Sequence, residues 1–240
     1  MEAPDGYRLI IDAGSGIRSL GQALMDRPPG PKLEGDLLLT HLHLDHIMGF
    51  AFFKPLLAMD HAITIWAVRP AEEVRDALTR VFGPPIWPID MLTQSGAEVA
   101  ELDETARRFG PVEVTPFPLN HPNGAHGYRI DTGAHRICIV SDHEHGNAAI
   151  DSRLEREVAG ADLMLYDAAY TVDSYPRYRG WGHSHWAAAA KLAETAGVAR
   201  TILVHHAFDA SDETLDSVAE ELVRLPVRVE MAHDRLEIPL

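Results

Sequence analysis

The 240-residue chain carries 36 acidic and 21 basic residues, and its formal net charge of −15 disfavours non-specific association with nucleic acid or anionic membranes. The apolar content of 46% is enough for a buried core, yet no stretch approaches the roughly 20 apolar residues that a membrane helix needs. The single cysteine, Cys138, excludes an intrachain disulfide, and the first residues lack the basic and apolar segments of a secretion signal, so we expect a cytoplasmic protein.

Hydrophobic periodicity predicts strands and helices that alternate along the chain. In chain order it predicts strand 7–12, helix 17–25, loop 26–35, strand 36–40, helix 47–59 (bent or ended near Pro55), strand 62–68, helix 71–82, strands 112–120, 127–133 and 135–142, helix 151–159, strand 162–168, helix 184–196 with Ser184 as N-cap, strand 201–206, helix 211–224 and strand 227–232. We find no repeat, low-complexity segment or linker. The pattern therefore predicts one α/β domain over residues 1–240.

The segment "THLHLDHIMGF" places three histidines and one aspartate within six positions, directly after a buried strand. Side chains repeat every two residues at the end of a strand, so His41 and His43 can point the same way. Asp45 and His46 then enter from the following turn. Imidazole and carboxylate groups suit zinc, and a catalytic zinc keeps one position open for water. The four groups can therefore face two metal ions, and chance enrichment is the weaker interpretation.

Further candidate ligands also end apolar strands. His121 follows "TPFPLN", Asp142 follows "RICIVS", and His205 or His206 follows "TILV". Each is weak alone, because single polar residues commonly end strands. Together they would complete the ligands of two metal ions.

Seven segments of the chain resemble those of metallo-β-lactamase-fold hydrolases, on the ribonuclease Z and cyclic-nucleotide phosphodiesterase side of that superfamily. They are "LIIDAGSGIRSLG", "THLHLDHIMGF", "PLNHPNGAHGYRI", "VSDHEHG", "LYDAAY", "GWGHS" and "LVHH", and they lie between residues 9 and 206. The resemblance implies an αββα sandwich of two mixed sheets flanked by helices. Members usually carry further strands before the segment matching "LIIDAG". Here those strands are expected to be missing, shortened or supplied by a partner chain, which favours a homodimer that covers the exposed edge.

The resemblance also implies the ligands. One zinc would be held by His41, His43 and His121, the second by Asp45, His46 and His205, with Asp142 bridging both. His205 is preferred over His206 because it directly follows the apolar strand. Two Zn²⁺ per chain are expected, although manganese or iron would also fit these ligands.

The same resemblance implies phosphodiester hydrolysis. Two metals about 3.5–4 Å apart can share a hydroxide that attacks phosphorus. His183 of "GWGHS" is the candidate general acid for the leaving oxygen, and Asp167 of "LYDAAY" is its orienting partner. Asp45 is also counted among the catalytic candidates. We expect cyclic or small nucleotide phosphodiesters as substrates.

Four alternatives stay open or are disfavoured. A ribonuclease Z-type tRNA 3′ endonuclease is disfavoured because hairpin strands fill the interval between His121 and Asp142, where bacterial forms insert a tRNA-clasping arm, and because stable nucleic-acid binding does not fit the acidic charge. A glyoxalase II-type thioesterase would share the seven ligands but not the Asp167 and His183 pair. A β-lactamase commonly has cysteine where Asp142 stands. A metal-dependent sensor without activity is the remaining class.

Overall fold

The structure is a computed structural model, and it describes residues 1–3, 6–26, 33–58 and 60–239. The chain divides into two compact units, Met1–Pro111 and Val112–Leu240. No helix among these residues is both long enough and apolar enough to pass through a membrane. The prediction of one domain over residues 1–240 stays a prediction.

The first unit is built around a parallel sheet in the order β1-β2-β3-β4. Its strands are β1 (Arg8–Ile11), β2 (Leu33–Leu39), β3 (His61–Ala67) and β4 (Glu98–Glu101), with β5 (Arg107–Phe109) following near the end of the unit. Its helices are α1 (Ile17–Met25), α2 (Leu44–Ile47), α3 (Pro55–Ala58), α4 (Ala71–Val81) and α5 (Met91–Ser95). Helices α1 and α4 bury one apolar stripe each, and these stripes join the core with the inward residues of β2 and β3.

The second unit contains a mixed sheet in which its six strands run in the order β11-β10-β9-β8-β7-β6. They are β6 (Val112–Leu119), β7 (Ala125–Asp131), β8 (Arg136–Val140), β9 (Leu163–Asp167), β10 (Thr201–Val204) and β11 (Val229–Met231). Helices α6 (Ala148–Val158), α7 (Trp186–Ala196) and α8 (Asp212–Leu222) contribute buried residues to the core of this unit. The predicted α/β class, with two sheets flanked by helices, is confirmed.

The direction of the strands in this second sheet determines which edge carries the candidate site residues. Strands β8, β9 and β10 are parallel, and β6 points the same way because β7 is antiparallel to both of its neighbours. All four strands therefore end at one edge of the sheet. The residues that follow them are brought to the same edge.

The predicted helix 47–59 is wrong: α2, a 3₁₀ turn at Phe50–Phe52 and α3 replace it. At Gly49 the N–H donates to the carbonyl of Ala13 at 2.8 Å, and an added Cβ would lie 2.1 Å from the Gly14 oxygen. This close backbone approach interrupts the helix, and Pro55 starts the next one. Residue 59 lies outside the described residues.

Other boundaries also differ. Strand β2 begins at Leu33, inside the predicted loop 26–35, of which residues 27–32 lie outside the described residues. Elements α5, β4 and β5 were not predicted. The N-cap of α7 is His185, whose ring nitrogen accepts from the Ala188 N–H, and not Ser184.

The edge of β1 is partly covered by the first residues of the chain. The Met1 ammonium donates to the Leu9 carbonyl at 2.8 Å, and the Leu9 N–H donates to the Met1 carbonyl at 3.1 Å. The Ala3 N–H donates to the Tyr7 carbonyl at 2.9 Å. These bonds satisfy backbone groups that an open edge strand would expose. The predicted homodimer stays a prediction, with less unpaired edge on β1 to support it.

Candidate functional site

In the first unit, the predicted ligands His41, His43, Asp45 and His46 lie where β2 ends and α2 begins. The ring centroids of His41 and His43 are 4.5 Å apart, and those of His41 and His46 are 4.2 Å apart. His41 and His46 are buried, whereas Asp45 is exposed. The histidine-rich segment thus gathers three imidazoles on one turn.

Asp12 orients this turn, although sequence reasoning did not single it out. Because β1 and β2 are parallel and end together, its carboxylate accepts from the Thr40 N–H at 2.7 Å and from the Thr40 hydroxyl at 2.8 Å. It also lies 2.7 Å from Nδ1 of His46. An ionised carboxylate can only accept, so the proton resides on Nδ1 and Nε2 presents its lone pair. This is the carboxylate–histidine arrangement that commonly supports metal-binding histidines.

In the second unit, Asp167 is the last residue of β9, and His121, Asp142 and His205 come just after β6, β8 and β10, whose ends lie at the same edge of the sheet. The Asp142 side chain is 2% exposed, and its two oxygens face different imidazoles. Oδ2 is 3.7 Å from Nε2 of His121, and Oδ1 is 3.5 Å from Nε2 of His205. His206, by contrast, lines a separate small cavity beside Leu203 and Val218.

These distances suit ligands of a metal ion. They exceed ordinary hydrogen-bond lengths, whereas two donors about 2.1 Å from one zinc at a tetrahedral angle stand about 3.4 Å apart. The Nδ1 of His121 donates to the Gly182 carbonyl at 2.9 Å, which leaves its Nε2 lone pair facing Asp142. Imidazole nitrogens around a buried carboxylate therefore fit a divalent metal such as zinc, as the donor chemistry predicts.

The predicted acid and its partner lie beside this carboxylate. Nδ1 of His183 is 2.7 Å from Oδ2 of Asp167, which is fully buried and also accepts the His143 and Ala169 N–H groups. Donor atoms of Asp142, Asp167, His183 and His205 all lie within 4.8 Å of one another. The His183 and His205 rings are stacked at 4.9 Å. His183 is thus oriented by a carboxylate while its Nε2 stays available.

Three of these strand-end residues adopt left-handed backbone conformations. The φ angles are 58° for Asp12, 42° for Asp142 and 61° for His205. Non-glycine residues seldom take positive φ, and such residues are concentrated at functional sites. Each follows a strand, so the unusual turn redirects its side chain at the sheet edge.

Glu144, another residue that sequence reasoning missed, fixes the "GWGHS" segment. Its carboxylate accepts the Gly180 N–H at 2.8 Å, the Gly182 N–H at 3.0 Å and the Tyr175 hydroxyl at 3.0 Å. Burial alone would raise the pKa of this carboxyl, but these donors outweigh burial and hold the pKa below its usual range. An added Cβ on Gly182 would lie 2.1 Å from Nδ1 of His121, so only glycine fits there.

Ser184 ties the two histidine-bearing segments of this unit together instead of capping α7. Its hydroxyl donates to the His143 carbonyl at 2.7 Å and accepts the His145 N–H at 3.1 Å. An open cleft of about 940 Å³ lies next to these segments and is lined partly by His121, His145 and Arg179. Among the described lining residues, Arg179 carries the only permanent positive charge. The cleft therefore places one fixed positive charge, beside the Glu144 carboxylate, in the same space as His121.

Comparison with known proteins identifies the family. The beta-lactamase superfamily domain matches residues 7–206, across both units. Ribonuclease Z of Bradyrhizobium sp. (strain ORS 278) is 23% identical over 287 residues, covering 97% of this chain and 91% of its own. The metallo-beta-lactamase fold protein YhfI from Bacillus subtilis superposes with a TM-score of 0.73 at 19% identity, covering 97% of this chain and 87% of its own. A diphosphatase from the PhnP family gives 0.67 at 20% identity, covering 99% and 82%.

These similarities confirm the predicted resemblance and fold, as well as the hydrolase class. The family match includes the histidine-rich segment of the first unit and His205 of the second. The chain belongs to the beta-lactamase superfamily, and it is a metal-dependent hydrolase with the metallo-β-lactamase fold and a ribonuclease Z-like sequence.

Proposed function

We propose that the protein is a dinuclear metal phosphodiesterase that acts on cyclic or small nucleotide phosphodiesters. The observation that carries the proposal is the 2.7 Å contact of His183 with the buried Asp167, next to Asp142 and His205. Hydrolysis of a phosphodiester expels an alkoxide, which needs a proton. A thioester expels a thiolate, which is a better leaving group at neutral pH and depends less on protonation. The oriented histidine therefore favours phosphodiesters.

The proposed ligands are those that the family pattern assigns. His41, His43 and His121 would hold one ion, Asp45, His46 and His205 the other, and Asp142 would bridge them. We propose zinc, with manganese or iron as alternatives that the same donors accept. When bound, two such ions supply Lewis acidity and an activated water at phosphorus.

The chain's own residues then manage protons and orientation. Protonated His183 delivers a proton from Nε2 to the leaving oxygen. Asp167 keeps the ring in place and stabilises the imidazolium, because its buried carboxylate faces Nδ1. Asp12 and the Gly182 carbonyl fix the tautomers of His46 and His121. Arg179 can attract an anionic substrate into the adjacent cleft.

Substrate size is inferred from the second unit. Between His121 and Asp142 the chain is occupied by β7 and β8, so that interval holds no inserted arm. Many cations of this unit are already paired with carboxylates: Arg129, Arg136, Lys191, Arg200, Arg224 and Arg228. Paired cations offer little to a polynucleotide backbone. These features favour small substrates.

A ribonuclease Z-type activity is the second candidate. It is favoured by the 23% identity to ribonuclease Z of Bradyrhizobium over almost the whole chain. The same metals and the same acid would serve an RNA phosphodiester. A glyoxalase II-type thioesterase shares the metal ligands but has no need of the His183 and Asp167 pair.

A turnover screen tests the proposal. Purified, metal-replete protein is assayed on bis(p-nitrophenyl) phosphate, 3′,5′-cyclic nucleotides, pre-tRNA and S-lactoylglutathione. We expect the highest kcat/KM on a cyclic or small nucleotide. Efficient, specific removal of pre-tRNA 3′ trailers would replace the proposal with the ribonuclease. Hydrolysis of the thioester without phosphodiesterase activity would move the protein to the thioesterases.

Two further expectations are proposals as well. Cytoplasmic location is inferred from composition and the single buried cysteine. A homodimer that covers exposed edge strands is proposed as well, and light scattering at micromolar concentration tests it.

A further inference from the structure

An aromatic cluster lies directly beside the candidate acid. The Tyr170 ring is 6.0 Å from the His183 ring and nearly perpendicular to it. Tyr170 stacks in parallel on Tyr178 at 4.4 Å, and Tyr178 contacts Trp181 edge-on at 5.5 Å. Three aromatic rings thus continue outward from the reacting groups.

Trp181 ends this cluster and is 61% exposed. Burying a large aromatic side chain stabilises a fold, and the exposed indole of Trp181 does not contribute this stabilisation. The neighbouring residues Arg179 and Gly180 are also exposed. The fold therefore presents the indole to solvent on the segment that carries His183.

Several hydrogen bonds hold the segment that carries the indole. The backbone N–H of Trp181 donates to the Tyr178 carbonyl at 3.1 Å and closes a turn. Gly180 and Gly182 take φ values of 86° and 90°. Their N–H groups donate to Glu144, and the Gly182 carbonyl holds His121. An exposed tryptophan fixed by the same bonds that position a candidate ligand is preorganised for recognition, because little freedom is lost when a ligand binds.

We propose that Trp181, supported by Tyr178 and Tyr170, is a stacking platform for the nucleobase of the substrate. The inference deepens the proposed function, since it selects a nucleotide over a phosphodiester without a base. Stacking of a base on an aromatic side chain tolerates any base, because every base has a π face. Arg179, on the same segment, supplies a charge for the attached phosphate.

The position of the cluster favours this occupant. One end of the cluster touches the ring of His183, where the scissile phosphate would sit, and the other end is the exposed indole. A mononucleotide carries its base and its phosphate on one sugar, and Trp181 and His183 are two residues apart on one segment, so a single nucleotide can engage both. A second copy of this chain would also cover an exposed indole, but nothing about that role requires contact with His183.

The test compares binding of adenosine 5′-monophosphate and ribose 5-phosphate, which differ by the base. Calorimetry on metal-replete protein should show the adenosine compound binding about 5- to 100-fold more tightly, the usual worth of one stacked base. Trp181→Ala should bring the two affinities together by weakening the adenosine compound alone. Trp181→Phe should retain most of the preference. Val223→Ala shortens another exposed apolar side chain, at the end of α8, and should leave the preference for the adenosine compound unchanged.

Three results would overturn the platform. They are no binding of adenosine 5′-monophosphate at millimolar concentration, equal affinities in the wild type, or a preference that survives Trp181→Ala. A dimer that dissociates in Trp181→Ala with the preference intact would assign the indole to a second copy. Binding is read without turnover, so a base preference in a protein that hydrolyses no phosphodiester would retain the platform and reject the proposed function.

Discussion

The two units present their candidate ligands in different ways. The first places four of them within six consecutive residues, which run from the end of β2 into α2. The second collects its groups from five separate stretches between residues 121 and 205, joined by the common edge of one sheet. A local motif fixes the first group, whereas strand order fixes the second. The second unit also contains the candidate acid His183, oriented by Asp167, so changes there should alter chemistry as well as metal content.

The largest effect is expected for Asp142→Ala in the second unit. It removes a buried carboxylate that faces both His121 and His205. Metal content should fall from about two ions per chain to one or fewer, and turnover by about 10³-fold or more, since metal Lewis acidity is worth several kcal/mol. Elemental analysis and a phosphodiesterase assay measure both, with exposed Asp173→Ala as control. Two ions retained in Asp142→Ala would show that this residue is no bridge.

The next largest effect is expected for His183, and it distinguishes a general acid from a metal ligand. His183→Ala should lower turnover by roughly 10²–10⁴-fold, the usual worth of a positioned acid, while metal content stays near that of the wild type. The loss should shrink for p-nitrophenolate, which leaves without protonation. Asp167→Asn should give a smaller loss in the same direction. Exposed His233→Ala is the matched control.

Two outcomes would contradict this assignment. Loss of metal in His183→Ala would make the residue a ligand. Equal losses on good and poor leaving groups would point to phosphate positioning.

In the first unit, a change to Asp12 should lower the affinity for metal. Asp12→Asn keeps a side chain that tolerates positive φ but removes the charge facing His46. Metal affinity should fall about 10- to 100-fold, as for other carboxylates that orient histidine ligands. Competition with a chelator measures it, and Asp26→Asn at the end of α1 is the control. Unchanged affinity would remove Asp12 from the site.

The smallest effect concerns pH and the start of α7. Burial, with His145 nearby, lowers the pKa of His185 to about 4. The unfolded chain takes up this proton near its ordinary pKa of about 6.5, so the folded state should lose stability as pH falls from there to about 4. His185→Asn keeps a capping acceptor and should lose less over that window. Denaturant unfolding at several pH values checks it, and identical pH profiles would contradict the assignment.

Sequence reasoning worked best where chemistry and local pattern coincide. The histidine-rich segment and the strand-end positions of His121, Asp142 and His205 follow from apolar strands that end in polar residues. The pairing of Asp167 with His183 of "GWGHS" came from the family resemblance. Asp12 carries the same signal, an acid that ends a strand, and was overlooked. The contacts of Glu144 and Ser184 could not be predicted, because their partners include backbone groups up to 41 residues distant in the sequence. The broken helix after His46 depends on the approach of Gly49 to Gly14, which periodicity does not encode.

Metal reconstitution tests whether the protein is a dinuclear phosphodiesterase. Chelator-treated protein is titrated with Zn²⁺ or Mn²⁺ while hydrolysis of bis(p-nitrophenyl) phosphate is followed. We expect no activity without metal and full recovery at two equivalents per chain. Activity without metal, or full recovery at one equivalent with no second ion bound, would contradict a dinuclear phosphodiesterase.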